Sequence, residues 1–259
     1  MRIHKIRRIF ATALCCTFVA ALAAAMLIPV IMTCTRSFES GIAGYADFYL
    51  WKPLYLKAFM NSVITAGSAA VLSVAVSIPA AYVFAKVKFK GSSALFYVYI
   101  IVMMMPFQVT LLPQYMVSKA ANTYDTFLAV IIPAVFSPFA VFLITQMMKT
   151  IPNEYIEAAR LDTGSTLRIL WHIIIPVMRT GILCTFVLVF TENWNMVDQP
   201  LVLMETFARY PLTVLIARLA ATADAGTMAA SVVIMIPPLL LYLFFKDEVT
   251  EGLAAYRLN

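Results

Sequence analysis

Charge is scarce in this chain. Only 12% of its 259 residues are Asp, Glu, Lys or Arg, against 63% apolar, roughly half the charged fraction of a soluble domain. A water-soluble globule of this composition is excluded. Histidine is nearly absent, and His4 and His172 lie far apart. The four cysteines, Cys15, Cys16, Cys34 and Cys184, show no CxxC or Cys/His spacing, so no metal site is expected. They read as small packing residues within or beside apolar helices. No GxxxxGK[ST] phosphate loop occurs, so this chain is not expected to hydrolyse ATP itself. No Ser/His/Asp or Cys/His constellation points to covalent catalysis, and no internal repeat or low-complexity tract is evident.

What the chain has in quantity is long apolar runs, with a mean hydropathy of +0.89. A membrane-spanning helix needs roughly 20 such residues. Six runs qualify, at about 9–33, 62–85, 94–116, 124–147, 180–204 and 228–245. The expected fold is all-α: a polytopic membrane protein of six transmembrane helices, with 1–259 as one transmembrane domain. Arg2, Lys5, Arg7 and Arg8 precede the first run as in a secretory signal. That run is longer than a signal core and is read as a retained span. Pro79, Pro106, Pro133, Pro138, Pro237 and Pro238 are tolerable where neighbouring helices satisfy the freed carbonyls. Ala66, Gly67, Ser68, Ser73 and Ser77 would let helices approach closely. The formal charge of +6 is carried by short clusters between the runs, which serves membrane orientation and not nucleic-acid binding. With the N-terminus inside, 13 Lys and Arg fall on the cytoplasmic side and 6 outside. Both termini are therefore expected in the cytoplasm.

The longest inside loop, about 149–179, has its own pattern. Pro152 suits a first helical turn, and Glu154 and Glu157 favour the positive N-terminal end. Gly164 marks a stop, and Ser165 can cap a second helix running towards Pro176. Ala158 and Ala159 would present a nearly bald surface. Such a hairpin can dock in a partner's groove or lie on the lipid surface; the residues alone leave both open.

The run Glu157-Ala158-Ala159-Arg160-Leu161-Asp162-Thr163-Gly164-Ser165, followed by Ile173-Ile174-Ile175-Pro176, resembles the EAA loop of binding-protein-dependent ABC importer permeases. Asn61-Ser62, Ala80 to Ala85, Met105 to Thr110, Ser137-Pro138-Phe139 and Asn193-Trp194-Asn195 are similar to the carbohydrate branch, in particular the maltose-type second permease. Thr163 stands where that family has its glycine, with Gly164 one place later. Ile175 replaces a common leucine, and Thr191 and Glu192 alter the surroundings of Asn193. The resemblance implies a coupling helix made by Glu157, Ala158, Ala159, Arg160, Asp162 and Gly164. It also implies two ATPase subunits that bind ATP and Mg, a second permease, and an extracytoplasmic solute-binding protein. This chain would hold no cofactor of its own and would sit in a prokaryotic cell membrane. The short outside segments favour the smaller member of an unlike permease pair.

Polar groups buried in hydrocarbon are costly and are candidates for function. Glu192, Asn193, Trp194 and Asn195 lie about 12–15 residues into the fifth run, ~18–22 Å from its cytoplasmic end. Carboxylate and amide groups beside an indole suit a polyhydroxylated solute. Helix–helix hydrogen bonding with an interfacial Trp accounts for the same residues. Gln108 in the third run is a further candidate for the path, whereas Asp198 and Gln199 are expected at the outer interface. Met103, Met104 and Met105 read as adaptable packing. A secondary transporter, needing no ATPase, is the main alternative, although it would be expected to show inverted repeats or several mid-membrane carboxylates.

Overall fold

The computed structural model describes residues 2–39, 41–46, 53–219 and 225–256, and all regular structure among them is helical. Lys52 and Arg257, both counted in the 13-to-6 division of basic residues, lie outside the described residues. The chain opens with α1 (Arg2–Ser37) and the short α2 (Ala43–Ala46), followed by α3 (Pro53–Lys86). Although α3 contains Pro79, it runs unbroken. One face carries Ala66, Ala69, Ala70, Ser73, Ser77 and Ala81, each at most 1% exposed. Side chains this small let neighbouring helices lie close to its backbone. Gly67 and Ser68 fall off that stripe.

The third run is not one helix. It divides into α4 (Ser92–Met103) and α5 (Phe107–Ala120), which meet at 95°. Pro106 causes the break: it disfavours helix at Met105 and offers no N–H to the preceding turn. Next come α6 (Phe127–Val135) and α7 (Pro138–Lys149), which together form one span, Phe127–Lys149. Pro138 sits in the first turn of α7, where its missing N–H is harmless, and the Ser137 side chain accepts from Ala140 N.

The 149–179 loop holds α8 (Asn153–Asp162) and α9 (Thr166–Ile169), then a π-helical turn Leu170–Ile174 and α10 (Ile175–Val177). After a break at Met178 comes α11 (Arg179–Trp194), at 82° to the preceding segment. The fifth span therefore ends at Trp194, not at Met204 as expected, and α12 (Asp198–Leu203) is a separate turn of helix. A 3₁₀ turn Phe207–Arg209, α13 (Leu212–Leu219), α14 (Ala225–Val233), α15 (Ile236–Phe244) and α16 (Lys246–Tyr256) complete the chain.

Thr12–Ser37, Pro53–Lys86, Phe127–Lys149 and Gly226–Phe244 are each long and apolar enough to cross a membrane, and counting each bent pair as one span gives six. The core is layered along the bundle. One cluster, at the end that carries the 149–179 loop, joins Ala81, Tyr82, Ile144, Ile156, Ala159 and Ile174. A middle cluster holds Ala66, Ala70, Ala140, Val189, Phe190 and Trp194. An outer one packs Ala129, Val130, Leu203, Met204, Tyr210 and Val214.

Candidate functional site

Two regions gather the residues singled out by sequence. At the 149–179 loop, Lys86 at the end of α3 donates from Nζ to Ile151 O (2.5 Å) and Asn153 Oδ1 (3.1 Å), anchoring the start of α8. The expected helix–turn–capped-helix arrangement is present. Thr163 N donates to Ala159 O (3.0 Å), Ser165 N to Thr163 Oγ1 (3.3 Å), and Arg168 N to Ser165 Oγ (3.4 Å).

Two details differ from the sequence reading. Ala159 does not belong to a bald outer surface: it is 4% exposed and buried with Ile156 in the cluster at the loop end of the bundle. Spaced three apart, these two residues form the inner face of α8. The outward face carries Glu157, Ala158, Arg160 and Asp162, with Leu161 at 90% exposure. Gly164, moreover, is not in a left-handed conformation, and a Cβ there would meet nothing within 4 Å. The turn itself therefore does not require glycine. Glu157 and Arg160 also border a groove of about 390 Å³ whose other wall includes Lys86 and Lys88.

The second region is a cavity of about 320 Å³ near the bends in the third and fourth spans, reached from the end of α11. Its wall brings Glu192 and Asn193 together with Thr110, Gln114, Gln199 and Phe139. Glu192 is exposed and Asn193 half-buried, its Nδ2 donating to Val189 O (2.8 Å). Gln199, expected at the outer interface, is 1% exposed. It donates from Nε2 to Gln114 Oε1 (2.7 Å), and Gln114 Nε2 donates to Thr110 Oγ1 (3.1 Å).

The remaining candidates stand elsewhere. Trp194 is 1% exposed and faces the bundle, stacked on Phe190 at 5.4 Å and edge-on to Phe59 at 5.8 Å. Its Nε1 donates to Ile234 O (2.9 Å), so it serves helix packing and does not line the cavity. Asn195 is the exposed C-cap of α11, and Gln108 is exposed on the first turn of α5; neither borders the cavity. Gln114 and Gln199 hold the place given to Gln108. Sequence offered only one hint of them, the cost of an uncharged amide in an apolar setting.

On the outer side two loops are fastened together. The Asp125 carboxylate accepts from Glu205 N (2.9 Å), Thr206 N (2.8 Å), Thr206 Oγ1 (2.5 Å) and Arg209 Nη1 (2.9 Å). Burial pushes its pKa up. The hydrogen bonds from Thr206 and Glu205 and the charge of Arg209 outweigh this and hold the carboxyl at about 2. Asn61 donates from Nδ2 to Ala208 O and Tyr210 O (both 3.1 Å), and Ser62 Oγ accepts from Leu212 N (2.8 Å). The Asn-Ser pair that opens the second apolar run is thus a tie between α3 and the outer loop.

Residues 73–250 match the family described as binding-protein-dependent transport system inner membrane component. The chain is 28% identical over 199 residues to the sn-glycerol-3-phosphate transport system permease of Yersinia pestis bv. Antiqua, covering 75% of this chain and 71% of that protein. It is 30% identical over 203 residues to the arabinooligosaccharides transport system permease of Halalkalibacterium halodurans, covering 77% and 73%. In fold it is similar to a chain of a bacterial ABC transporter involved in import of the acidic polysaccharide alginate. That match has a TM-score of 0.77 at 19% identity and covers 93% of this chain and 96% of the other.

Proposed function

The chain belongs to the family of binding-protein-dependent transport system inner membrane components, and from that membership we propose how it works as a permease subunit of an ABC importer. Membership removes the secondary transporter that the sequence had left open. In our reading, the outward face of α8, with Glu157, Ala158, Arg160, Leu161 and Asp162, and the following turn with Gly164 seat in a cleft of an ATPase subunit. Two such subunits bind ATP and Mg. Their closure moves this chain against a second, non-identical permease, and a solute-binding protein delivers a sugar, oligosaccharide or sugar derivative from outside. Both termini and the 149–179 loop lie in the cytoplasm.

The observation that carries the coupling assignment is the division of α8 into two faces. Ile156 and Ala159 fix it to the bundle core, while Leu161 stands 90% exposed beside acidic residues. With one face fixed to the core, the opposite face leaves Glu157, Arg160, Leu161 and Asp162 exposed together and available to a partner. Leu161→Arg should leave the membrane bundle folded while the ATPase subunits fail to copurify and ATP-dependent uptake in proteoliposomes is lost. Normal copurification together with normal uptake would refute the assignment.

A further inference from the structure

We propose that the cavity beside α11 is a solute subsite built from hydrogen-bond acceptors, and that it selects neutral, hydroxyl-rich cargo over phosphorylated or carboxylated cargo. This rests on the permease reading and adds a substrate class to it. A backbone carbonyl, which can only accept, sets the direction of a relay along the cavity wall. Thr110 Oγ1 donates to Phe107 O at 2.7 Å. With its one proton committed, that hydroxyl must accept from Gln114 Nε2 at 3.1 Å. Gln114 therefore turns its Oε1 to Gln199, which donates from Nε2 at 2.7 Å. The relay fixes the orientation of both amides.

At the end of the relay stands Gln199 Oε1. It is buried and has no hydrogen-bond partner, in a residue 1% exposed that borders the cavity. A buried carbonyl left unpaired is unfavourable and calls for a donor. Close by, the Asn193 amide nitrogen places one of its two hydrogens on Val189 O, its carbonyl oxygen adds an acceptor, and Glu192 contributes a carboxylate. All three present acceptors. Glu192 is also the single charged residue among the described residues that line the cavity.

A phosphate or uronate brings negative charge and acceptors of its own, and is ordinarily held by Arg or Lys. It would meet like charge and unpaired acceptors here. The starts of α5 and α7 reach the same wall and are the features an anion could use. At α7 Pro138 carries no N–H and Ala140 N donates to Ser137 Oγ, and at α5 the uncapped first turn offers neutral N–H groups with no Lys or Arg among the lining residues to balance an anion's charge. A saccharide's hydroxyl hydrogens match the acceptors, and the Phe107, Phe136 and Phe139 side chains supply apolar wall for its CH faces. A volume of about 320 Å³ is at the small end of ligand pockets and suits one or two sugar rings.

The test is a binding titration, without ATP, on the purified complex of this chain with its partner subunits in lipid nanodiscs. The probes are arabinotriose, its O-methylated form and glycerol-3-phosphate. The O-methylated form keeps every acceptor oxygen and loses every donor. Arabinotriose should bind about tenfold or more tightly than its O-methylated form, because buried acceptors discriminate strongly against ligands lacking the donor. Glycerol-3-phosphate should not compete. Gln199→Met should reduce the preference for the hydroxylated sugar to within about threefold. Thr110→Val, which removes only the far end of the relay and lets both amides turn, should weaken that preference as well; it also serves if Gln199→Met fails to assemble. Equal binding of the two sugars, preferential binding of glycerol-3-phosphate, or binding of neither class overturns the proposal. Normal copurification and uptake in Leu161→Arg would sink the α8 assignment without moving these affinities, so the two failures are distinguishable.

Discussion

Asp125 sits at φ +58°, a conformation that a non-glycine residue keeps only when its surroundings compensate. The compensation is its set of hydrogen bonds to Glu205, Thr206 and Arg209. Its folded pKa of about 2 lies below the roughly 3.9 of an unfolded aspartate. The sign follows: the clasp contributes its full stability above about pH 4 and loses it as pH falls towards 2. Asp125→Asn, which tolerates the same backbone, should lower the melting temperature by a constant amount at pH 5–7, and the gap to wild type should close below about pH 4. A gap independent of pH down to 2.5 would show that charge is not what fastens the loops. Trp194 illustrates a different economy. The N–H that would bond Ile234 O within a helix belongs to the residue four places on, which is Pro238 and has none. The indole Nε1 supplies that donor at 2.9 Å. Trp194→Phe keeps the ring contacts and orphans the carbonyl, so it should cost about 1–3 kcal/mol of stability. Thermal unfolding of the purified complex measures this, and solute affinity per folded complex should stay unchanged.

At the scale of single elements, α8 shows how much a pattern conveys and where it stops. The capped second helix, the proline start and the acidic first turn were all legible, because each depends on chemistry within four residues. Which alanine faces inward was not, since Ala158 and Ala159 look alike until Ile156 is seen packing in the cytoplasmic cluster. The consequence can be tested. Ala159→Trp must overfill this chain's own core, costing about 1–3 kcal/mol or more, and should lower the melting temperature of the membrane subunit even without its partners. Ala158→Trp points outward and should leave that temperature unchanged while removing the ATPase subunits from the purified complex. If the two variants behaved alike, the inner and outer faces of α8 would have been misassigned. The bends tell a similar story. Pro106 and Pro176 are visible in the sequence, yet Pro79 lies inside an unbroken α3, so a proline alone does not announce a 95° turn. Tertiary packing decides between a tolerated proline and a broken span. Glu192 and Asn193 were legible as costly polar residues inside the fifth run; Gln114 and Gln199 were not, because their pairing joins residues 85 positions apart.

Across the whole molecule, the six spans follow from apolar length alone, and their direction follows from where Lys and Arg fall. The clusters of the core supply an independent marker of the two ends. Lys86, the 149–179 loop and α16 gather at one end, with Gly252 of α16 seated close to Cys184 and Met147. The Asp125 clasp and the Asn61 tie gather at the other. If the end holding Lys86 is cytoplasmic, Ser165 and Ala120 must lie on opposite sides of the membrane. Both are exposed, Ser165 beside the exposed Gly164 and Ala120 at the end of α5. A single cysteine at either position, in a chain whose four native cysteines are replaced, can therefore be labelled without unfolding. Intact cells treated with a membrane-impermeant maleimide should label Ala120→Cys and spare Ser165→Cys. Inverted membrane vesicles should give the reverse, and detergent should expose both. The 13-to-6 bias of basic residues sets this expectation. Should Ser165→Cys react from outside, the α8 face could not meet a cytoplasmic ATPase. The coupling assignment would then fall together with the orientation, whatever the variants of Leu161 had shown.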